Sequence, residues 1–152
     1  MIIRVIIFLI LNFGSLAISG YFTGDGVPSD WYQTINKAPW TPPGWAFGAA
    51  WATIMICFSF YMAMLWQNKK QKSHILSLFI IQWILNISWS PVFFYYHEVL
   101  AGLIIITSLT IVIGIFIYRF RFQMKYKSVF LLPYFLWLLI ATSLNGYILL
   151  YN

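Results

Sequence analysis

Residues 31–68 read WYQTINKAPWTPPGWAFGAAWATIMICFSFYMAMLWQN. A loop crowded with tryptophan and proline runs, after Lys37, into 31 positions without a charged side chain, 38–68. About 20 apolar residues in a helix span a bilayer, so this run is long enough. Four more charge-free runs, 5–24, 73–97, 99–118 and 128–152, are 20, 25, 20 and 25 residues long. Barrel strands would be about half that length and would alternate in polarity, which these runs do not. The expected fold is all-α, an integral membrane bundle of five transmembrane helices at about 4–22, 43–66, 74–96, 99–118 and 128–150, forming one domain over 1–152 with a lid loop at 23–42.

Composition agrees. With 62% hydrophobic and 8% charged residues and a mean hydropathy of +0.82, the chain is excluded from the soluble class. The net charge of +6 does not point to nucleic acid, because the basic residues sit in short breaks between the apolar runs. If five spans alternate, Arg4, Lys69, Lys70, Lys72, Arg119, Arg121, Lys125 and Lys127 share one side and only Lys37 lies opposite, 8 of 9. The positive-inside rule then puts the N-terminus in the cytoplasm. The expected location is multi-pass in the cell membrane, with a bacterial outer membrane as the alternative. Arg4, the apolar Val5 to Phe13 and the small residues to Gly20 have the outline of a signal peptide. The polar face Asn12, Ser15, Ser19 fits a helix packed among others better.

Gly24, Gly26 and Pro28 break the first helix, and Asp30 with Gln33 has capping-box spacing for a short turn through Asn36 carrying Trp31 and Tyr32. Thr41 is expected to cap the second span with Pro42 at its first position. Pro39, Pro42 and Pro43 stiffen this approach into a formed lid.

Within the spans, Phe47, Trp51 and Met55 recur at helical spacing, as do Gln82, Asn86, Trp89, Phe93 and Pro133, Trp137, Ala141, Asn145. Amides in hydrocarbon need partners, so these stripes should face the bundle interior. Taken singly, Gln82 reads as interhelical packing, Trp45 and Trp66 as headgroup anchors, and Gly44, Gly48, Ala52 as close helix contact. Three converging stripes under an aromatic lid instead describe an apolar pocket, opening at the lid, with few polar groups. The fourth span reads as scaffold. No metal site is expected, since His74 and His97 fall at opposite interfaces, and His97 with Glu98 reads as a solvated pair. The one cysteine, Cys57, can form no internal disulfide. No paired carboxylates, phosphate loop or mid-span ionisable group supplies ordinary catalysis or ion coupling.

Three motifs, Trp31-Tyr32 with KAPWTPP at 37–43 and Phe47-Gly48 and Trp51, then QWILNISWSPVFF at 82–94, then PYFLWLLIATSLN at 133–145, resemble the translocator protein / tryptophan-rich sensory protein family (TspO/MBR), once called the peripheral benzodiazepine receptor. The resemblance covers the chain in order. It implies a five-helix bundle, often a homodimer, that needs no cofactor and binds a porphyrin such as protoporphyrin IX or another flat apolar molecule, as receptor or carrier in contact with membrane lipid. Position by position it implies ligand contacts at Tyr32, Pro42, Phe47, Trp51, Asn86, Trp89, Trp137, Ala141 and Leu144. The alternatives are a light-dependent porphyrin-degrading enzyme using Trp51 and Trp137, and a ligand-free regulatory membrane protein. Ala38 and Ala49 stand where the family favours proline, and Met55 where it favours an aromatic. The end, Leu149 to Asn152, lacks the basic residue of the animal cholesterol motif, so no cholesterol site is expected, and it resembles bacterial members.

Overall fold

A computed structural model describes residues 1–67 and 71–152. Lys69 and Lys70, two of the charges assigned to the basic side, lie outside the described residues. The described elements are helical: α1 (Ile2–Thr23), α2 (Asp30–Thr34), α3 (Gly44–Leu65), α4 (Lys72–Ser90), a π-helical turn (Pro91–Tyr95), α5 (Val99–Met124), a 3-10 segment (Lys125–Leu131) and α6 (Leu132–Tyr151). Four stretches are long and apolar enough to cross a membrane, the last of them Val99–Tyr151 at 53 residues. Lys125, at φ 48°, breaks that last stretch, and α5 and α6 fold back against each other. The result is an all-helical membrane bundle.

The ends of the bundle are unlike. Gln67 Nε2 reaches Met1 Sδ at 3.6 Å, which joins the end of α3 to the start of α1. That end carries Arg4, Lys72, Arg119, Arg121, Lys125 and Lys127, while Lys37, Asp25, Asp30 and Glu98 lie at the other. In the core, Phe58 packs against Phe79, Phe116 and Tyr134 in the half of the bundle nearer the basic end. The polar face of α1 is buried as expected: Asn12 Nδ2 donates to Ser59 Oγ at 2.8 Å, and Ser15 and Ser19 are covered.

Several boundaries differ from expectation for local reasons. The residue before a proline is held extended, so α3 cannot begin at Thr41 or Pro42 and starts at Gly44 behind an extended Pro43. Thr41 closes a turn instead, its N–H and Oγ1 both donating to Ala38 O at 2.9 and 2.7 Å. The cap of α2 is Ser29, whose Oγ accepts from Tyr32 N–H at 3.3 Å, and not Asp30, which is already helical. Gln33 donates to Val27 O at 2.8 Å, and the helix ends at Thr34. α5 continues past 118 to Met124, with the Arg121 guanidinium lying 3.9 Å from the Tyr118 ring centroid and 4.4 Å from that of Phe122. A charge ends an apolar run without ending the helix, because a long side chain lies back along the apolar surface. Gly48 faces outward, and a Cβ added there would meet nothing within 4 Å, so it makes no close helix contact within this chain.

Candidate functional site

The site grows from one irregularity. Pro91 brings no N–H to the helical ladder, and Tyr96 N–H donates to Pro91 O at 3.0 Å across a π-turn. The wider turn shifts the register by a single residue, so that adjacent Phe93 and Phe94 are both buried. Trp89 stacks on Phe93 with centroids 5.7 Å apart and planes at 11°, and Phe94 meets Phe93 edge-on at 4.9 Å.

The loop between α1 and α3 seats rings on this wall. Tyr32, 3% exposed, packs edge-on against Phe94 at 5.2 Å, and burial pushes its phenol pKa above the ordinary value. Trp31 meets Phe93 at 5.5 Å, and His97 stacks on Trp31 at 4.3 Å rather than pairing with Glu98. The other edge is latched to the end of α6. Asn36 N–H donates to Asn152 Oδ1 at 2.8 Å, Asn36 Nδ2 donates to Tyr151 O at 3.0 Å, and Asn152 Nδ2 donates to Asn36 O at 3.1 Å. Trp40 Nε1 adds a bond to Ser143 Oγ at 3.1 Å.

Beneath the loop, Tyr32, Phe47, Trp89, Ala141 and Leu144 converge on a cavity of about 10 Å³, completed by Phe93, Phe94, Asn145 and Ile148. That space holds about one water. Trp51, Asn86 and Trp89 border a second cavity of about 180 Å³ against Ser19 and Thr23 of α1. Trp89 is the wall between the two. Trp137 packs edge-on against Phe47 at 5.3 Å and lines an outward groove of about 320 Å³ with Ala49, Ala50 and Thr53. Pro42 is half-buried in the approach to α3 and lines none of the three. The single open pocket expected from the stripes is therefore subdivided by the protein's own rings, and the lid is shut.

The polar groups are largely engaged within the bundle. The Tyr134 hydroxyl accepts from Asn86 Nδ2 at 2.7 Å and Gln82 Nε2 at 3.2 Å. Asn145 Oδ1 accepts from Trp89 Nε1 at 3.3 Å, and Asn145 Nδ2 donates to Val99 O at 2.9 Å. The buried indole N–H of Trp137 has no partner among the described residues. Gly102, in the span read as scaffold, lets α5 approach: a Cβ there would lie 3.2 Å from Asn145 Oδ1 and from Phe93 Cδ2. Phe93 and Asn145 stood on the sequence stripes, and Ile148 continues that of α6 by one turn. Phe94 depends on the π-turn and Tyr134 on helix rotation, neither of which periodicity displays. Among the described residues no three His, Cys, Asp or Glu side chains gather into a metal-binding group.

Known proteins are similar to this chain over most of its length. A Tryptophan-rich protein TspO of Archaeoglobus fulgidus is 35% identical over 133 residues, 87% of this chain and 86% of that one. The Tryptophan-rich sensory protein of Cereibacter sphaeroides is 29% identical, covering 78% of this chain and 74% of its own. The human Translocator protein is 26% identical over 88% of this chain and 80% of its own. The sequence model of the TspO/MBR family matches residues 5–151, and the chain, a multi-pass integral membrane protein, belongs to that family.

Proposed function

We propose that this protein is a membrane receptor or carrier for a flat, apolar, ring-rich ligand of the porphyrin class, bound where the two inner cavities meet at Trp89. The observation that carries this reading is the cavity wall: five aromatic side chains, Tyr32, Phe47, Trp89, Phe93 and Phe94, with no charged residue. Ring faces offer a large apolar contact with little side-chain entropy to lose. Ligand pockets for molecules of this size run to about 300–1,000 Å³, so binding requires the lid to lift and Trp89 to swing, joining the cavities. Trp51, its centroid 6.2 Å from that of Trp89, would then face the ligand, with Trp137 behind Phe47. On this reading Tyr32, Phe47, Trp51, Asn86, Trp89, Ala141 and Leu144 contact the ligand, and Pro42 shapes the lid.

The setting is a single domain with five crossings and a cytoplasmic N-terminus, because the basic end is the one the positive-inside rule retains. We read the protein as a homodimer. The outward Gly48 and Ala49 leave α3 room for close approach by a second copy.

Titration of the purified protein with protoporphyrin IX in the dark tests the reading. Saturable quenching of tryptophan fluorescence at roughly micromolar concentration, about −8 kcal/mol, is expected. Quenching that rises linearly, as in empty micelles, rejects it. A second reading, light-dependent oxidation of bound porphyrin by dioxygen through Trp51 and Trp137, draws on the place of these two indoles against the rings of the cavity wall, Trp51 at 6.2 Å from Trp89 and Trp137 at 5.3 Å from Phe47. It requires a new absorbing product under illumination that Trp51→Phe and Trp137→Phe abolish without loss of binding.

A further inference from the structure

At the basic end, away from the lid, α1, the end of α3 and the start of α4 enclose a crevice of about 330 Å³. Its floor is aromatic. Phe8 packs edge-on against both Trp66, at 5.9 Å, and Phe79, at 5.4 Å, and the half-exposed Ile7 and Leu76 flank it. One charged residue, Arg4, lines it, and Lys72 holds its Nζ 5.6 Å from the centroid of the Trp66 ring.

We propose that this crevice is a site for one anionic phospholipid, with the phosphate between Arg4 and Lys72 and an acyl chain along Phe8, Trp66 and Phe79. The charges leave little else. All three acidic residues of the chain, Asp25, Asp30 and Glu98, lie at the opposite end, so no carboxylate of this chain neutralises Arg4 or Lys72. A second copy standing parallel in the same membrane would present another basic end and cannot supply the missing charge. A neutral apolar ligand would use the floor and leave the cations unmatched. Guanidinium matches a phosphate fork to fork, and basic pockets between membrane helices suit anionic headgroups. A headgroup at the interface also places its own chain at the depth where the floor lies.

The test is lipid retention by native mass spectrometry of the full chain in micelles, with dioleoyl phosphatidylglycerol and dioleoyl phosphatidylcholine in equal amounts. One phosphatidylglycerol should be retained with about tenfold preference. The double variant Arg4→Gln, Lys72→Gln should lose the preference, whereas Lys127→Gln, elsewhere at the same end, should keep it. Leu76→Trp, which fills the crevice and leaves the charges intact, should lose the lipid, and this arm remains decisive if the double variant does not fold. Equal retention of the two lipids by wild type, or preference surviving in Leu76→Trp, overturns the proposal. Displacement of phosphatidylglycerol by equimolar dodecanoate overturns the phospholipid assignment in favour of a fatty acid.

Discussion

Asn86 Nδ2 donates to the Tyr134 hydroxyl over 2.7 Å, so an amide placed to meet a ligand is held by the bundle itself. The same hydroxyl accepts from Gln82, and Tyr134 is fully buried. Tyr134→Phe keeps the ring and leaves two buried donors unpaired. It should lower stability by roughly 1–2 kcal/mol, measured as a fall in the thermal midpoint in detergent. An unchanged midpoint would mean that the freed amides find other acceptors.

The bonds between Asn36 and the 151–152 pair hold the lid closed over a cavity with room for about one water. Asn36→Ala removes the side-chain grip on Tyr151 O, loosens the backbone pair with Asn152 and leaves the cavity walls alone. Stopped-flow mixing with protoporphyrin IX should show association and dissociation both faster by several-fold at nearly constant affinity, as befits a gate. A change in affinity with unaltered rates would make the latch part of the binding surface instead.

Burial raises the Tyr32 pKa, so the folded state favours the neutral phenol. The sign follows directly. Below the unfolded value, near 10, both states are protonated and this contribution to stability is intact; it is lost as pH rises through the higher folded value. Seating of α2 on Phe93 and Phe94 should therefore loosen at strongly alkaline pH, read as faster proteolysis of the loop by an alkaline-stable protease. Tyr32→Phe, with nothing to ionise, should not show that step.

Orientation is open to labelling. Asp25 and Tyr126 are exposed at opposite ends of the bundle. In a Cys57→Ala background, Asp25→Cys should react with an impermeant thiol reagent in intact cells and Tyr126→Cys should not. Asp25 is preferable to neighbouring Gly26, whose φ of 60° strains any other residue. The reverse labelling pattern would place the lid in the cytoplasm.

The class, the long helices and the stripes they bury were legible in the sequence. Charge-free length is a direct consequence of bilayer thickness, and a period near 3.6 follows from helix geometry, so runs such as 38–68 and residues such as Gln82, Asn86, Trp89 and Trp137 declare themselves locally. What the tertiary structure decided is how those stripes are turned against one another. The π-turn at Pro91 brought Phe94 inward, helix rotation gave Asn86 to Tyr134 and sent Trp137 toward an outer groove, and the loop chose Asn152 as its latch. The π-turn grows from Pro91, a local feature that helical periodicity does not display; the other two depend on rings and amides far apart in the chain filling the same space. Close packing in three dimensions fixes that outcome, and spacing along the chain carries no record of it.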